Sequence, residues 1–414
     1  MQLRLGFCFL LCMLSLAAAA AEPARTVPNV RAITAYMRID REDYARQFTD
    51  ARAVLDDVKA AFGERGYAVQ TQRLVTQPVG ELVAGLSDDE ALGLLKKLDA
   101  LAGEQGLALN VGPAMLHDGD DPRAMRVLAT ALATLTHTNA SAIIAADDGI
   151  HWKTIRESAA LVHRLADSPH GQGNFNFAAT AMLKPYGPFY PGAWHTGAGR
   201  QLAIGFESAN VVQDVFARTN GDFDASVKEL TAALTTHARV AEAVGEKVAK
   251  ARGWTFMGVD PTPAPLGDVS IGAAMETWSG ARFGSSGTMT AALVITTAVK
   301  AVPVKQIGYS GLMLPVLEDK RLSERWAENA YGIDALLAYS SVCGTGLDTV
   351  PLPGDASEEQ LARIFGDVAS LAWKWHKPLT ARLLPISGKK AGDRTEFESQ
   401  YLFNTTVQAL PRAQ

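Results

Sequence analysis

Val30-Arg31-Ala32-Ile33-Thr34-Ala35-Tyr36-Met37-Arg38-Ile39 reads as a strand, and the segments after it decide the fold. Residues 48–62 place Ala51, Val54, Leu55, Val58 and Phe62 on one helical face, and residues 67–75 return to a strand. The alternation continues outward from this unit. Ser87-Asp88-Asp89-Glu90 forms a capping box opening a helix that ends near residues 103–106. Strands are expected at 107–111 and 141–146, with helices at 122–135 and 152–165. Strands follow at 201–206, 254–259, 305–316, 335–342 and 381–386. Helices are expected at 225–252, at 288–300 and, capped by Ser357-x-x-Gln360, from there to about residue 375. Strand–helix alternation without repeats or a low-complexity linker predicts one large α/β domain over residues 22–414, its strands covered by helices outside.

Composition agrees and narrows the partners. The chain has 414 residues, 48% of them hydrophobic, and a formal net charge of −5, enough apolar sequence to bury a core without staples. A pI near 5.9 without basic runs excludes the cationic face that nucleic acid requires. A small-molecule ligand is the expected partner, and a homo-oligomer is compatible with the same composition.

Met1 to Ala21 reads as a secretory signal peptide. Arg4 supplies the n-region, residues 5–16 an apolar stretch too short to span a membrane, and Ala19-Ala20-Ala21 a cleavage site. This predicts a periplasmic protein without stable membrane insertion after cleavage. Cys8 and Cys12 would leave with the peptide, and Cys343 alone cannot form an internal disulfide.

Four segments could carry chemistry. Ser340 to Asp355 places Cys343 among glycines and the carboxylates Asp348 and Asp355, so the thiol is either a nucleophile or a small buried hydrophobe. The loop over residues 170–199 is crowded with Gly, Pro, Asn and aromatics, including Asn174, Phe175, Phe189, Tyr190 and His195, and leads to Glu207; a loop that long is usually functional. His195 is a candidate base for the thiol or an ordinary loop histidine. Glu318-Asp319 ends an apolar run; the pair could hold a metal, share a proton or open a helix. Gly284-x-x-Gly287-Thr288 could present amides to an anion, but it lacks a nucleotide-binding lysine.

Taken in order, these segments resemble one family. Val30-Arg31-Ala32-Ile33-Thr34, residues 66–73, Gly173-Asn174-Phe175, Pro188-Phe189-Tyr190-Pro191 with His195, and Ile204-Gly205-Phe206-Glu207 carry the first half of the match. Gly258-Val259-Asp260 with Pro263-Ala264-Pro265, Gly287-Thr288, Ser310-Gly311, Pro315-Val316 and Glu318-Asp319 carry the middle. Cys343, Gly346-Leu347-Asp348, Pro353-Gly354-Asp355, Gly392-Asp393 and Glu396-Phe397 complete it. The chain resembles the domain of unknown function 711 (DUF711, UPF0210) family. The resemblance implies a ten-stranded α/β barrel of pyruvate formate-lyase type with a loop inserted inside, for which the Cys343 loop is the natural candidate. It carries no activity with it. The tail around Gly392 lacks a glycyl-radical motif, which argues against radical chemistry.

Three functions follow as expectations. The first is a non-radical periplasmic enzyme, a thiol- or carboxylate-dependent hydrolase or lyase acting on a small polar or carboxylate-bearing molecule. Cys343, His195, Asp348 and Glu318 would be catalytic in it. Asn174, Phe189, Tyr190, Glu207, Asp260, Gly284, Gly287 and Thr288 would bind the substrate. The second is a Mg- or Ca-dependent enzyme using Asp260, Glu318, Asp319 and Asp348. The third is a periplasmic binding protein without chemistry. The site reading places Cys343 within a few ångströms of His195, Glu207, Asp260, Glu318 or Asp348.

Overall fold

The alternation becomes a ten-stranded mixed sheet wrapped in helices, in a computed structural model that describes residues 26–342 and 345–410. The segment expected to be a signal peptide, residues 1–21, and Cys343 lie outside the described residues. The strands are β1 (Asn29–Met37), β2 (Val69–Val75), β3 (Ala108–Pro113), β4 (Thr138–Ala146), β5 (Gly149–Ile150), β6 (Phe177–Ala181), β7 (Arg200–Glu207), β8 (Thr255–Asp260), β9 (Gly346–Pro353) and β10 (Leu379–Ile386). Their order across the sheet is β8-β7-β1-β2-β3-β4-β6-β10-β9, with β5 folded back on β4 as a hairpin. From β1 to β4 and on to β6 all neighbours are parallel; β7 is antiparallel to β1, and β10 is antiparallel to β6.

Both faces of the sheet are buried, as parallel strands require. On β1, Ile33, Ala35 and Met37 join the main core beneath helices Tyr44–Gly63 and Phe223–Arg252, whereas Tyr36 joins a separate interior cluster with Val75, Ala193 and Ala203. Helices Trp152–Leu165 and Glu358–Trp375 pack together over β4, β6 and β10. The capping boxes at Ser87 and Ser357 both form, each side chain accepting from the backbone amide three residues on.

The sheet is not closed. The gap between β8 and β9 is spanned by residues 305–316, expected as a strand, which instead make isolated bridges at Val259–Gln306 and Pro315–Asp348. Gly258, with φ +140°, permits this approach, because a Cβ there would lie 2.2 Å from the Lys305 carbonyl oxygen.

Of residues 335–342, also expected as a strand, 335–340 belong to helix Ile333–Ser340, and the strand begins only at Gly346 as β9. A short apolar run does not distinguish the two by periodicity. The long loop contains β6, whose Phe-Ala-Ala-Thr-Ala sequence carries little strand signal.

The loop that threads the interior is residues 183–196. Tyr36 on β1 donates to the Gly187 carbonyl at 2.7 Å, and Asn110 on β3 donates to the Pro191 carbonyl at 2.6 Å. The Tyr190 hydroxyl donates to the Leu74 carbonyl of β2 at 2.7 Å. On β7, Gly205 leaves room for Phe189, whose ring carbon lies 3.0 Å from where a Cβ would stand. The Tyr36 and Asn110 bonds satisfy loop carbonyls that burial would otherwise leave unpaired.

Candidate functional site

Three arginines sit within strands and meet inside the sheet: Arg31 on β1, Arg73 on β2 and Arg382 on β10. Three carboxylates join them. Arg382 Nε lies 2.7 Å from Asp348 Oδ1 on β9, and its Nη2 binds Glu318. Arg31 Nη2 holds the other oxygen of Glu318 at 3.1 Å, and its Nη1 lies 3.6 Å from Glu207 at the end of β7. Glu207 also accepts from Gln70 Nε2 at 2.5 Å and Asn29 Nδ2 at 3.1 Å. Burial opposes the charge of Arg382, but Asp348 and Glu318 outweigh it and raise the guanidinium pKa.

Arg73 differs from its two neighbours. It is 7% exposed, donates to Thr71 Oγ1 at 2.9 Å and to the Pro188 carbonyl at 3.1 Å, and lies 4.6 Å over the Tyr190 ring. Among the described residues no carboxylate comes within 4.0 Å of it. Burial, and then repulsion by Arg31, pulls its pKa down to about 10, which leaves it cationic at neutral pH.

A cleft of about 1130 Å³ opens onto these groups and is lined by Arg31, Arg73, Arg382, Glu318 and Asp348. Its aromatic walls include Phe189, Tyr190 and Phe175, the last lying 4.7 Å under Arg382 and stacked on Tyr401 at 6.3 Å. The cleft reaches Gln70, Ala108 and Asn139, so it lies at the N-terminal ends of β2, β3 and β4.

The other residues expected at a site lie elsewhere or do structural work. The His195 ring is fully buried against Tyr186, 5.8 Å away and edge-on; the charges that act on it are Arg38 and Glu81, beyond the C-terminal end of β1. It therefore does not join Glu318 and Asp348. Asn174 donates to the Val162 carbonyl at 3.0 Å and ties its loop to a helix. Gly284 donates its amide to Thr288 Oγ1 at 3.0 Å and, with Gly287, shapes the start of helix Thr288–Lys300, so this loop offers no amide cradle to the cleft.

The four-carboxylate metal set is not assembled. Asp260 is consumed by amides and a hydroxyl, accepting from Tyr309 N at 2.8 Å, Ser310 N at 3.1 Å and both donors of Thr262. Asp319 caps helix Lys320–Ala327 and accepts from Ser270, Ile271 and Gly272. Glu318 and Asp319 thus point to different sides of one extended segment, as adjacent residues there must.

Sequence reasoning missed Arg31, Arg73, Arg382 and Gln70. The available signal was a charge inside each of three strand-like runs; such a charge must be paired or must line a cavity.

A profile of a family described as uncharacterised ACR (DUF711) matches residues 27–399. The chain belongs to the DUF711 family. Relatives named as UPF0210 proteins include one from Pyrobaculum aerophilum, 34% identical over 84% of this chain and 80% of its own length. Another, from Desulforudis audaxviator, is 31% identical over 81% and 78%. A third, from Listeria monocytogenes, is 28% identical over 86% and 82%. Pyrobaculum is an archaeon and Listeria a Gram-positive bacterium, so DUF711 proteins occur where no Gram-negative periplasm exists. The expectation of a periplasmic enzyme with a Cys/His/carboxylate site is corrected on that ground, and His195 stands apart from the carboxylates besides. Among the described residues no helix is long and apolar enough to cross a membrane.

Proposed function

We propose that the cleft binds a small zwitterion, its anionic end on Arg73 and its donor end toward the carboxylates. The observation that carries this reading is Arg73: a buried guanidinium that lines the cleft and has no carboxylate partner among the described residues. Burying a charge without a counter-ion is costly, and a ligand carboxylate offers the bidentate partner that a guanidinium fits. The rest of the cluster sets the ligand's other end. Within the cluster Glu207, Glu318 and Asp348 match Arg31, Arg73 and Arg382 in number, and Glu318 and Asp348 line the cleft, so a net anion entering it would meet negative charge as well. A molecule carrying both signs preserves the balance. Asp348 uses Oδ1 for Arg382 and lines the cleft, leaving Oδ2 to accept from an ammonium or hydroxyl.

The test is a thermal-shift and calorimetric comparison of α-amino acids, the matching amines and the matching carboxylic acids. Zwitterions should stabilise the protein by about 2.7 kcal/mol at a concentration of roughly 100 Kd. Arg73→Met should remove that gain while the protein stays folded. A zwitterion-induced shift of equal size in Arg73→Met, or shifts with amines alone, would overturn the reading.

A further inference from the structure

At the opposite end of the parallel strands, beyond β3 and β4, three side chains converge outside the cleft. The β4–β5 hairpin turns at Asp147-Asp148, and the chain leaving β5 places His151 beside Asp148. His151 Nε2 lies 2.9 Å from Asp148 Oδ1, and His117 Nδ1 lies 3.1 Å from Asp148 Oδ2. All three ligand-type atoms fall within 4.8 Å of one another.

The geometry constrains the tautomer. His151 is 3% exposed, and its Nδ1 lies 2.8 Å from the Ile143 carbonyl oxygen, which can only accept. Nδ1 therefore carries the hydrogen, and in the neutral ring Nε2 points a lone pair at a carboxylate oxygen. A metal ion bridging the two atoms would use that lone pair, where a proton shared with Asp148 otherwise does. A backbone carbonyl fixing the far nitrogen is how metal-binding imidazoles are oriented.

The third ligand is held in place as well. Asp120 Oδ2 accepts from the amides of Leu116 at 2.8 Å and His117 at 3.0 Å. Asp118 Oδ1 accepts from Lys153 N at 2.7 Å and Thr154 N at 3.0 Å, tying the His117 loop to the helix that follows His151. Asp118 also faces the N-terminus of that helix and offsets its positive end, which would otherwise repel a cation. The nearby Asp147 is paired with Lys184 at 2.6 Å.

We propose that His117, Asp148 and His151 form a binding site for one divalent transition ion of the zinc class. Two imidazoles with one carboxylate suit zinc, cobalt or nickel; magnesium and calcium take oxygen ligands. Ligand atoms around tetrahedral zinc lie roughly 3.3 Å apart, so the 2.9 and 3.1 Å separations to the two Asp148 oxygens widen by a few tenths of an ångström, and rotation of the exposed His117 ring adjusts the separation from His151, which is within 4.8 Å. With three protein ligands, and His117 and Asp148 exposed, the fourth position would be open to water or a small ligand, the pattern of a reactive site more than of a structural one.

The full chain, stripped with a chelator and desalted, should be titrated with zinc against a chromophoric chelator, and separately with cobalt while its visible absorption is recorded. A single tight zinc equivalent and an intense tetrahedral cobalt spectrum are expected. His117→Ala and Asp148→Asn should each weaken zinc by at least about tenfold and abolish the cobalt spectrum. His117 is exposed, so its variant reports on binding even if a variant at buried His151 fails to fold. His376→Asn, at an exposed histidine outside the cluster, should change neither readout. No tight equivalent in the wild type, or binding unchanged in His117→Ala and Asp148→Asn, would overturn the proposal.

Discussion

Arg382 on β10 and Asp348 on β9 meet through a 2.7 Å Nε–Oδ1 contact inside the sheet, and Arg382 also clamps Glu318. One guanidinium therefore joins the two strands at one side of the sheet gap to Glu318, just beyond the segment that spans it. This gives the first prediction. Arg382→Met leaves two buried carboxylates short of a partner and should cost about 3–5 kcal/mol in urea unfolding. Adding Glu318→Gln and Asp348→Asn should recover much of that loss. A single-variant cost below about 1 kcal/mol would mean that the cluster relaxes into solvent.

Arg73 should behave in the opposite way. Its charge is buried without a carboxylate, so Arg73→Met should leave stability unchanged or raise it by about 1 kcal/mol, while removing ligand-induced stabilisation. Urea midpoints measured with and without an amino acid would separate the two effects.

Gly258→Ala places a methyl against the Lys305 carbonyl oxygen at a backbone angle that side chains avoid. It should cost about 3 kcal/mol, and hydrogen exchange should quicken at the Ile307 amide, which donates to Val259 O at 3.1 Å. Exchange unchanged at Ile307 would show that the span does not depend on that approach.

His195 supplies a pH signature. Burial lowers its pKa in the folded state, so the unfolded chain takes up its proton first as pH falls. The stabilisation is complete above the ordinary histidine pKa of about 6.5 and is lost as pH drops through the lowered value. His195→Gln should flatten that part of the stability-versus-pH curve, measured by chemical denaturation at a series of pH values.

Much of the scaffold was legible. The helix at 152–165 matches to the residue, and Ser87 and Ser357 announced their helices, because capping and amphipathic spacing are local signals. Misreadings occurred where local signals run out: the apolar 335–342 stretch serves equally in a helix or a strand, and 305–316 is held by two edges it bridges. At the site, Glu318, Asp348, Glu207, Phe189 and Tyr190 were singled out, but the arginines that organise them were not.

The sequence by itself determined the strand–helix alternation and the caps, which depend on residues a few positions apart, and membership of the family, which an ordered series of short motifs along the chain carries. Only the tertiary structure decided that residues 183–196 thread the interior, that Glu318 faces the cleft while Asp319 caps a helix, and that His195 lies away from the carboxylates. Arg382 and Glu318 are 64 residues apart, and Arg31 and Glu318 are 287 apart. Their meeting is set by strand order and register, which depend on how the whole sheet buries both faces at once.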